Sequence, residues 1–323
     1  MMQHGACRRS RRLLSSYVPA HGKPRTLELQ LLQELLAKSK KVVVLTGAGI
    51  STESGIPDYR SEGVGLYARA NHRPIQHMDF MTSAAVDTMP PKESVHDKSW
   101  LRLVGLTTTM HRDVTLVTQN VDRLHTKAGS RDVIELHGSS EEVRCMQPGC
   151  AAPPIDRDTF QSILSKLNPI YQDLVFQYIN IQHENEVDNN HTNEDRMRPD
   201  ADMFLSPELE RAFDVAVCPY CGHAMYKPNI VFFGDSVPTP KIYDAVKQSD
   251  AMLILGSSLH VFSGYRFARR AAEWKVPLAI VNIGPTRADP IATLKLDAKC
   301  STVLTHLIPR PTRGRVESAT GDC

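Results

Sequence analysis

The 323-residue sequence has no uninterrupted apolar run approaching the roughly 20 residues that a bilayer-spanning helix requires. Its longest apolar blocks, such as Ala251 to Leu255, have strand length, so membrane insertion is not expected. Surplus charge is also missing. With 38 basic and 36 acidic residues the formal net charge is +2, too small a field for a dedicated nucleic-acid binder, and no nucleic-acid partner is expected. Seven cysteines are too few and too unevenly spaced for a disulfide framework in a chain this long, which favours a reducing compartment and a metal site. The first 27 residues contain no acid, yet they carry Arg8, Arg9, Arg11, Arg12, Lys23 and Arg25 with Leu13, Leu14 and several serines interleaved. That composition is that of a transit peptide and lacks the apolar centre of a secretory signal, so residues 1–25 are expected to be a mitochondrial presequence; a basic tail without fixed structure is the alternative.

The chain is 41% hydrophobic, enough for one large domain with a smaller insertion. Leucines at 27, 29, 31, 32, 35 and 36, with lysines gathered behind them, predict a helix over Thr26 to Lys40. Five near-continuous apolar runs, Val42 to Thr46, Val114 to Thr118, Ile230 to Phe233, Ala251 to Leu255 and Leu278 to Ile283, predict strands of a parallel sheet buried on both faces. Helix-length segments between them, including Pro240 to Gln248 and Tyr265 to Trp274, complete a doubly wound α/β, Rossmann-like domain over 26–142 and 227–310. Residues 143–226 break this rhythm with a cysteine pair at each end and are expected to form a zinc-binding module. Its acidic, Asn-rich stretch at about 182–202 reads as a solvated loop, and 311–323 as a flexible tail.

Two segments at strand ends carry polar chemistry. Gly47-Ala48-Gly49-Ile50-Ser51 follows the first strand, where glycines let a backbone approach a pyrophosphate and the N–H groups of the next turn can face its charge. The third glycine of the dinucleotide fingerprint is absent, so a tight strand-to-helix turn is an equal reading. Gln119, Asn120, Val121 and Asp122 follow another strand, where they suit either a ribose and carboxamide or ordinary turn chemistry. Cys218 and Cys221 have the two-residue spacing that aims two thiolates at one ion, and Cys145 and Cys150, four residues apart, are their partners. A closed four-cysteine zinc site follows, with free or redox-active thiols as the alternative.

Gly55-Ile56-Pro57-Asp58-Tyr59-Arg60, the Gln119-Asn120-Val121-Asp122 run and Glu135-Leu136-His137-Gly138, in that order, resemble the sirtuin family over about residues 41 to 308. The wording of 65–69, 119–130 and 231–235 looks most like its class II mitochondrial branch. The resemblance implies an NAD-consuming protein-lysine deacylase of the mitochondrial matrix, acting on acylated lysine proteins or peptides, with bulky or lipoyl-like acyl groups as candidates. It implies NAD contacts from the Gly47 to Ser51 loop, Pro57, Asp58, Tyr59, Arg60 and Tyr67, from Gln119 and Asn120 to the nicotinamide ribose, and from Asp122 to the carboxamide. His137 is implied to be the general base, with Asn120 and Asp122 beside it in catalysis. Gly256, Ser257, Ser258, Asn282, Ile283 and Gly284 are implied to hold the phosphates and adenosine, and Cys300 to back the adenine. Val231, Phe232, Phe233 and Gly234 are implied to pair with the substrate peptide as an added strand.

Residues 81–113 depart from the family's pattern, which has an arginine- and aromatic-rich helix and a Pro-Asn-x-x-His segment there. Either the region has diverged or an incorrect exon has been substituted. Two rivals therefore stand beside deacylation: protein mono-ADP-ribosyl transfer at the same site, and a catalytically impaired NAD-binding protein.

Overall fold

The computed structural model describes residues 17–56, 58–61, 65, 113–169, 212–232 and 235–307. The presequence apart from its last residues, the 182–202 loop, the tail from 311, and residues 81–112 lie outside the described residues. In chain order the elements are α1 (Thr26–Lys38), β1 (Lys41–Thr46), β2 (Asp113–Thr118), α2 (Leu124–Lys127), β3 (Ile134–Glu135), β4 (Gly138–Cys145), β5 (Ile155–Asp156), α3 (Arg157–Leu167), β6 (Tyr226–Ile230), α4 (Thr239–Gln248), β7 (Ala251–Leu255), α5 (Phe262–Glu273), β8 (Leu278–Val281), β9 (Leu294–Leu296) and α6 (Cys300–Leu307).

Six strands form one parallel sheet in the order β3-β2-β1-β7-β8-β9, the doubly wound architecture expected from the apolar runs. Alternate side chains of β1 supply its two faces. Val42 and Val44 pack with Leu32 and Leu36 of α1 and Val303 and Leu304 of α6. Val43 and Leu45 pack with Ile242 and Val246 of α4 and Phe267, Ala268 and Ala271 of α5. A strand covered on both sides must be apolar throughout, and so β1 and β7 read as unbroken hydrophobic runs. Leu32 and Leu36 lie one turn apart on the buried face of α1, whereas Leu27 and Leu31 face solvent. The helix stops at Lys38, two residues earlier than its leucine pattern suggested, because the Lys40 and Lys41 N–H groups both donate to the Asp250 carboxylate, at 2.7 and 2.8 Å, and start the strand.

One strand assignment needs correcting. The expected strand Ile230 to Phe233 is not in the parallel sheet over its described residues, 230–232; the strand is Tyr226–Ile230, and it pairs antiparallel with β4 in a separate three-stranded sheet, β5-β4-β6. That sheet covers a small core of Val143, Phe160, Leu164 and Ala216, with the Phe160 and Tyr226 rings 4.9 Å apart. Two short strands at opposite edges of the parallel sheet, β3 and β9, were not legible as apolar runs.

The sheet's order reverses between β1 and β7. Loops leaving the carboxyl ends of those neighbours diverge, and a crevice opens between them. The loop after β1 carries Gly47 to Ser51, that after β7 carries Gly256 to Ser258, and that after β2 carries Gln119 to Asp122.

Candidate functional site at the sheet switch point

The glycines of the first loop let two loops pack closely. A Cβ on Gly47 would lie 2.6 Å from the Ser257 Cβ, and one on Gly49 would lie 2.9 Å from the Gly256 carbonyl oxygen. Their missing side chains allow the two switch-point loops to pack backbone against backbone. The Gly47 and Gly49 N–H groups donate to Leu255 O and Gly256 O, and those of Ile50 and Ser51 close short turns onto Gly47 O and Ala48 O. The expected row of N–H groups facing a pyrophosphate is thus largely committed internally. Ala48 alone in this run has no N–H bond to protein among the described residues.

Side chains from three loops then meet. Asn120, which is buried, donates through Nδ2 to Gly47 O at 3.2 Å and to the Ser51 hydroxyl at 2.9 Å. The Ser51 hydroxyl donates to Asp122 Oδ2 at 2.7 Å, and Asp122 Oδ1 accepts the Leu124 N–H at 3.0 Å. Burial pushes the Asp122 carboxyl above its ordinary pKa, against the pull of those donors. Gln119 donates through Nε2 to the Ser257 hydroxyl at 2.8 Å, tying the β2 loop to the β7 loop. Val121 anchors β4 through bonds from Ser140 to its carbonyl.

His137 sits between β3 and β4. Its Nδ1 bonds to the Gln119 carbonyl oxygen at 2.8 Å and its Nε2 to the Ser263 hydroxyl at 2.7 Å. A carbonyl oxygen only accepts, so Nδ1 carries the proton and Nε2 is the basic nitrogen. Burial holds the ring's pKa below the ordinary imidazole value, outweighing the opposing effect of the Gln119 carbonyl. Ser263 went unnoticed in the sequence, since a serine in Val-Phe-Ser-Gly has no local pattern to mark it.

Asp58 caps its own turn, accepting the N–H groups of Arg60 and Ser61, with the Tyr59 ring exposed beside it. Ser258 receives the Arg287 N–H on its carbonyl. Asn282 bonds through Nδ2 to Ile283 O and Gly284 O, and the Gly284 N–H donates to Asp297. Cys300 is buried in the core beneath Val281, where burial pushes its thiol up to about 12. Beyond β6, the Val231 N–H donates to His137 O at 2.8 Å and the Phe232 N–H to the Asp235 carboxylate at 2.9 Å. Asp235 also holds the buried Lys227 ammonium at 2.9 Å. Pro57, Tyr67, Phe233 and Gly234 lie outside the described residues.

At the far end of β4 from His137, the sulfurs of Cys145, Cys150, Cys218 and Cys221 all lie within 4.8 Å of one another, with the nearest pairs at 3.7 and 3.8 Å. A disulfide would need about 2.05 Å. Four thiolates about 2.3 Å from a tetrahedral zinc stand about 3.8 Å apart, so the donor set fits that ion. Gly222, at φ +73°, makes the turn that follows the second cysteine pair, and its N–H donates to Cys218 O.

Fold and site together define the class: a Rossmann-like α/β protein with its polar crevice at a sheet switch point and a cysteine-clustered side module. The model of the Sir2 family matches residues 47–263, and this chain belongs to the Sir2 family. It is 44% identical over 311 residues to the NAD-dependent protein deacylase Sirt4 of Drosophila melanogaster, covering 93% of this chain and 92% of that one. It is 41% identical over 319 residues to the NAD-dependent protein lipoamidase sirtuin-4, mitochondrial, of Homo sapiens, covering 93% and 92%. A solved Sir2 structure with a p53 peptide and NAD+ aligns at a TM-score of 0.59 and 26% identity, over 86% of this chain and 96% of that one.

Proposed function

We propose that this chain is an NAD-dependent protein-lysine deacylase of the mitochondrial matrix, of lipoamidase or deacetylase type, in which residues 1–25 serve as presequence. The observation that carries the reading is the state of His137. Its proton is fixed on Nδ1, its basic Nε2 lies near the switch-point crevice, and burial keeps it neutral at matrix pH. Bound NAD supplies a labile bond to nicotinamide and a ribose that accepts the acyl group. Asn120 and Asp122, held by Ser51, present an amide and a carboxylate that suit the ribose and the carboxamide. His137 takes a proton from a ribose hydroxyl at Nε2. The segment from Val231 to Gly234 offers backbone to an acyl-lysine peptide, and no side-chain nucleophile is needed. Cys145, Cys150, Cys218 and Cys221 would hold a zinc ion in a closed shell that braces the 143–226 module and takes no part in the reaction.

Full-length protein incubated with NAD and a panel of acetyl- and lipoyl-lysine peptides tests this. Loss of acyl mass with matching release of nicotinamide, abolished in His137→Ala, is the expected result. A gain of ADP-ribose mass on an acceptor protein would instead establish transfer, and no nicotinamide release from any mixture would end the reading.

A further inference from the structure

His137 is held from both sides, and one of the two holders lies in a part of the chain that nothing above brings into the reaction. Ser263 stands in the first turn of α5, half-buried, 126 residues along the chain from the imidazole it bonds. The helix reaches that position by close contact: a Cβ on the adjacent Gly264 would lie 2.4 Å from Gln119 Oε1. Gln119 is also the residue whose carbonyl takes the Nδ1 proton. The first turn of α5, Gln119 and the ring therefore form a clamp, with Gly264 packed against the end of the Gln119 side chain.

Resting on the deacylase reading, we propose that Ser263 is a positioning residue for His137: its hydroxyl donates to Nε2, holds the ring plane against α5, and keeps that nitrogen's lone pair aimed until the substrate hydroxyl replaces it. A serine hydroxyl at 2.7 Å from an unprotonated ring nitrogen can only donate there, so the bond favours the neutral ring. The first turn of a helix acts in the same direction, because its exposed N–H groups disfavour a cation nearby. Charged groups on the surrounding elements are engaged elsewhere. Asp122 takes bonds from Ser51, Asn120 and Leu124, while Glu135 and Glu141 pair with Arg123, and Glu141 also with Lys127. On α5 the Arg266 guanidinium lies over the Phe262 ring, 5.0 Å from its centroid. No described carboxylate is bonded to His137 to set its charge in place of Ser263.

The test uses the full chain with isotope-labelled histidine, His137 being assigned by its loss in His137→Gln. In the wild type His137 should show the Nδ1–H tautomer and titrate below an ordinary histidine. Ser263→Ala should move that titration upward, and Ser263→Thr, which keeps a hydroxyl, should restore it. In turnover, Ser263→Ala should lower kcat by roughly 10- to 100-fold, the scale expected when a reacting group loses alignment, with the acid limb of kcat/KM shifted to higher pH. Unchanged titration in Ser263→Ala overturns the proposal, as does a kcat loss that Ser263→Thr fails to restore. A shifted titration in a wild type that releases no nicotinamide supports the clamp and rejects the deacylase reading instead.

Discussion

The Ser51 hydroxyl and the Asp122 carboxylate, 71 residues apart in sequence, are 2.7 Å apart across the crevice. Asp122 also takes bonds from Leu124 and Asn120, yet burial leaves its carboxyl with a raised pKa. A folded-state pKa above the unfolded value means that the charged form costs stability at neutral pH, a cost relieved only as pH falls toward the carboxylate range. Asp122→Asn removes that cost and keeps an acceptor for the Leu124 N–H. Its melting temperature is expected to match or exceed the wild type while nicotinamide release falls steeply. Calorimetry paired with the nicotinamide assay decides it, and a large drop in melting temperature would reveal a structural carboxylate instead.

The cysteine cluster makes a metal prediction. Purified protein should hold one zinc per chain, and Cys218→Ser, which removes the fully buried ligand, should hold little. Structural zinc contributes on the order of 10 kcal/mol to small modules, so chelation should loosen the β5-β4-β6 sheet and its four-residue core. The parallel sheet has its own two larger cores and should keep its protection. Elemental analysis with hydrogen exchange before and after chelator separates the two; protection loss spread evenly over both sheets would contradict a module-specific brace.

How far the sequence was legible depended on whether a residue's surroundings were local. β1, β2, β7 and β8 announced themselves because burial on both faces forces unbroken apolar runs, as in Val42 to Leu45. The same rule misplaced the strand that ends at Ile230: apolar character reports burial without reporting the neighbour, and here the neighbour is β4. β4 itself, Gly-Ser-Ser-Glu-Glu-Val-Arg-Cys, is only partly covered and so reads as polar. At the site, contiguous words such as Gln119 to Asp122 were readable. Ser263 was not, because the fold alone brings it to His137, and neither was the use of Gly47 and Gly49 to admit the Gly256 loop.

His125 gives a pH prediction. It is buried under the sheet end, with Nε2 at 2.7 Å from the Thr46 hydroxyl, which also bonds Thr118. Burial lowers its pKa to about 3. For a base with a depressed folded pKa, the unfolded chain takes up a proton first as the solution is acidified. Stability from this residue is therefore complete above about pH 6.5 and drains as pH falls toward 3, by up to about 1.4 kcal/mol per pH unit. Urea unfolding of wild type and His125→Gln across pH 5 to 8 should show the wild-type advantage shrinking on the acid side. Parallel curves would place the acid sensitivity in other groups.

Gly256 and Gly55 separate backbone strain from steric exclusion. Both have positive φ, +60° and +84°, so alanine at either costs about 1 to 2 kcal/mol for the left-handed conformation. Gly55 has open space around its missing Cβ, and Gly55→Ala should pay only that amount and keep most activity. At Gly256 the new Cβ would lie 2.4 Å from the Ile50 nitrogen, in backbone that cannot rotate away. The β1 loop must then retreat, breaking the 2.8 Å bond from the Gly49 N–H to Gly256 O and shifting Ser51 from Asp122. Gly256→Ala should therefore destabilise by at least about 3 kcal/mol and weaken NAD binding, measured by denaturant unfolding and calorimetric titration. Equal effects of the two substitutions would mean that the switch-point loops yield to one another, and the close packing of the loops after β1 and β7 would no longer explain why glycine stands at 256.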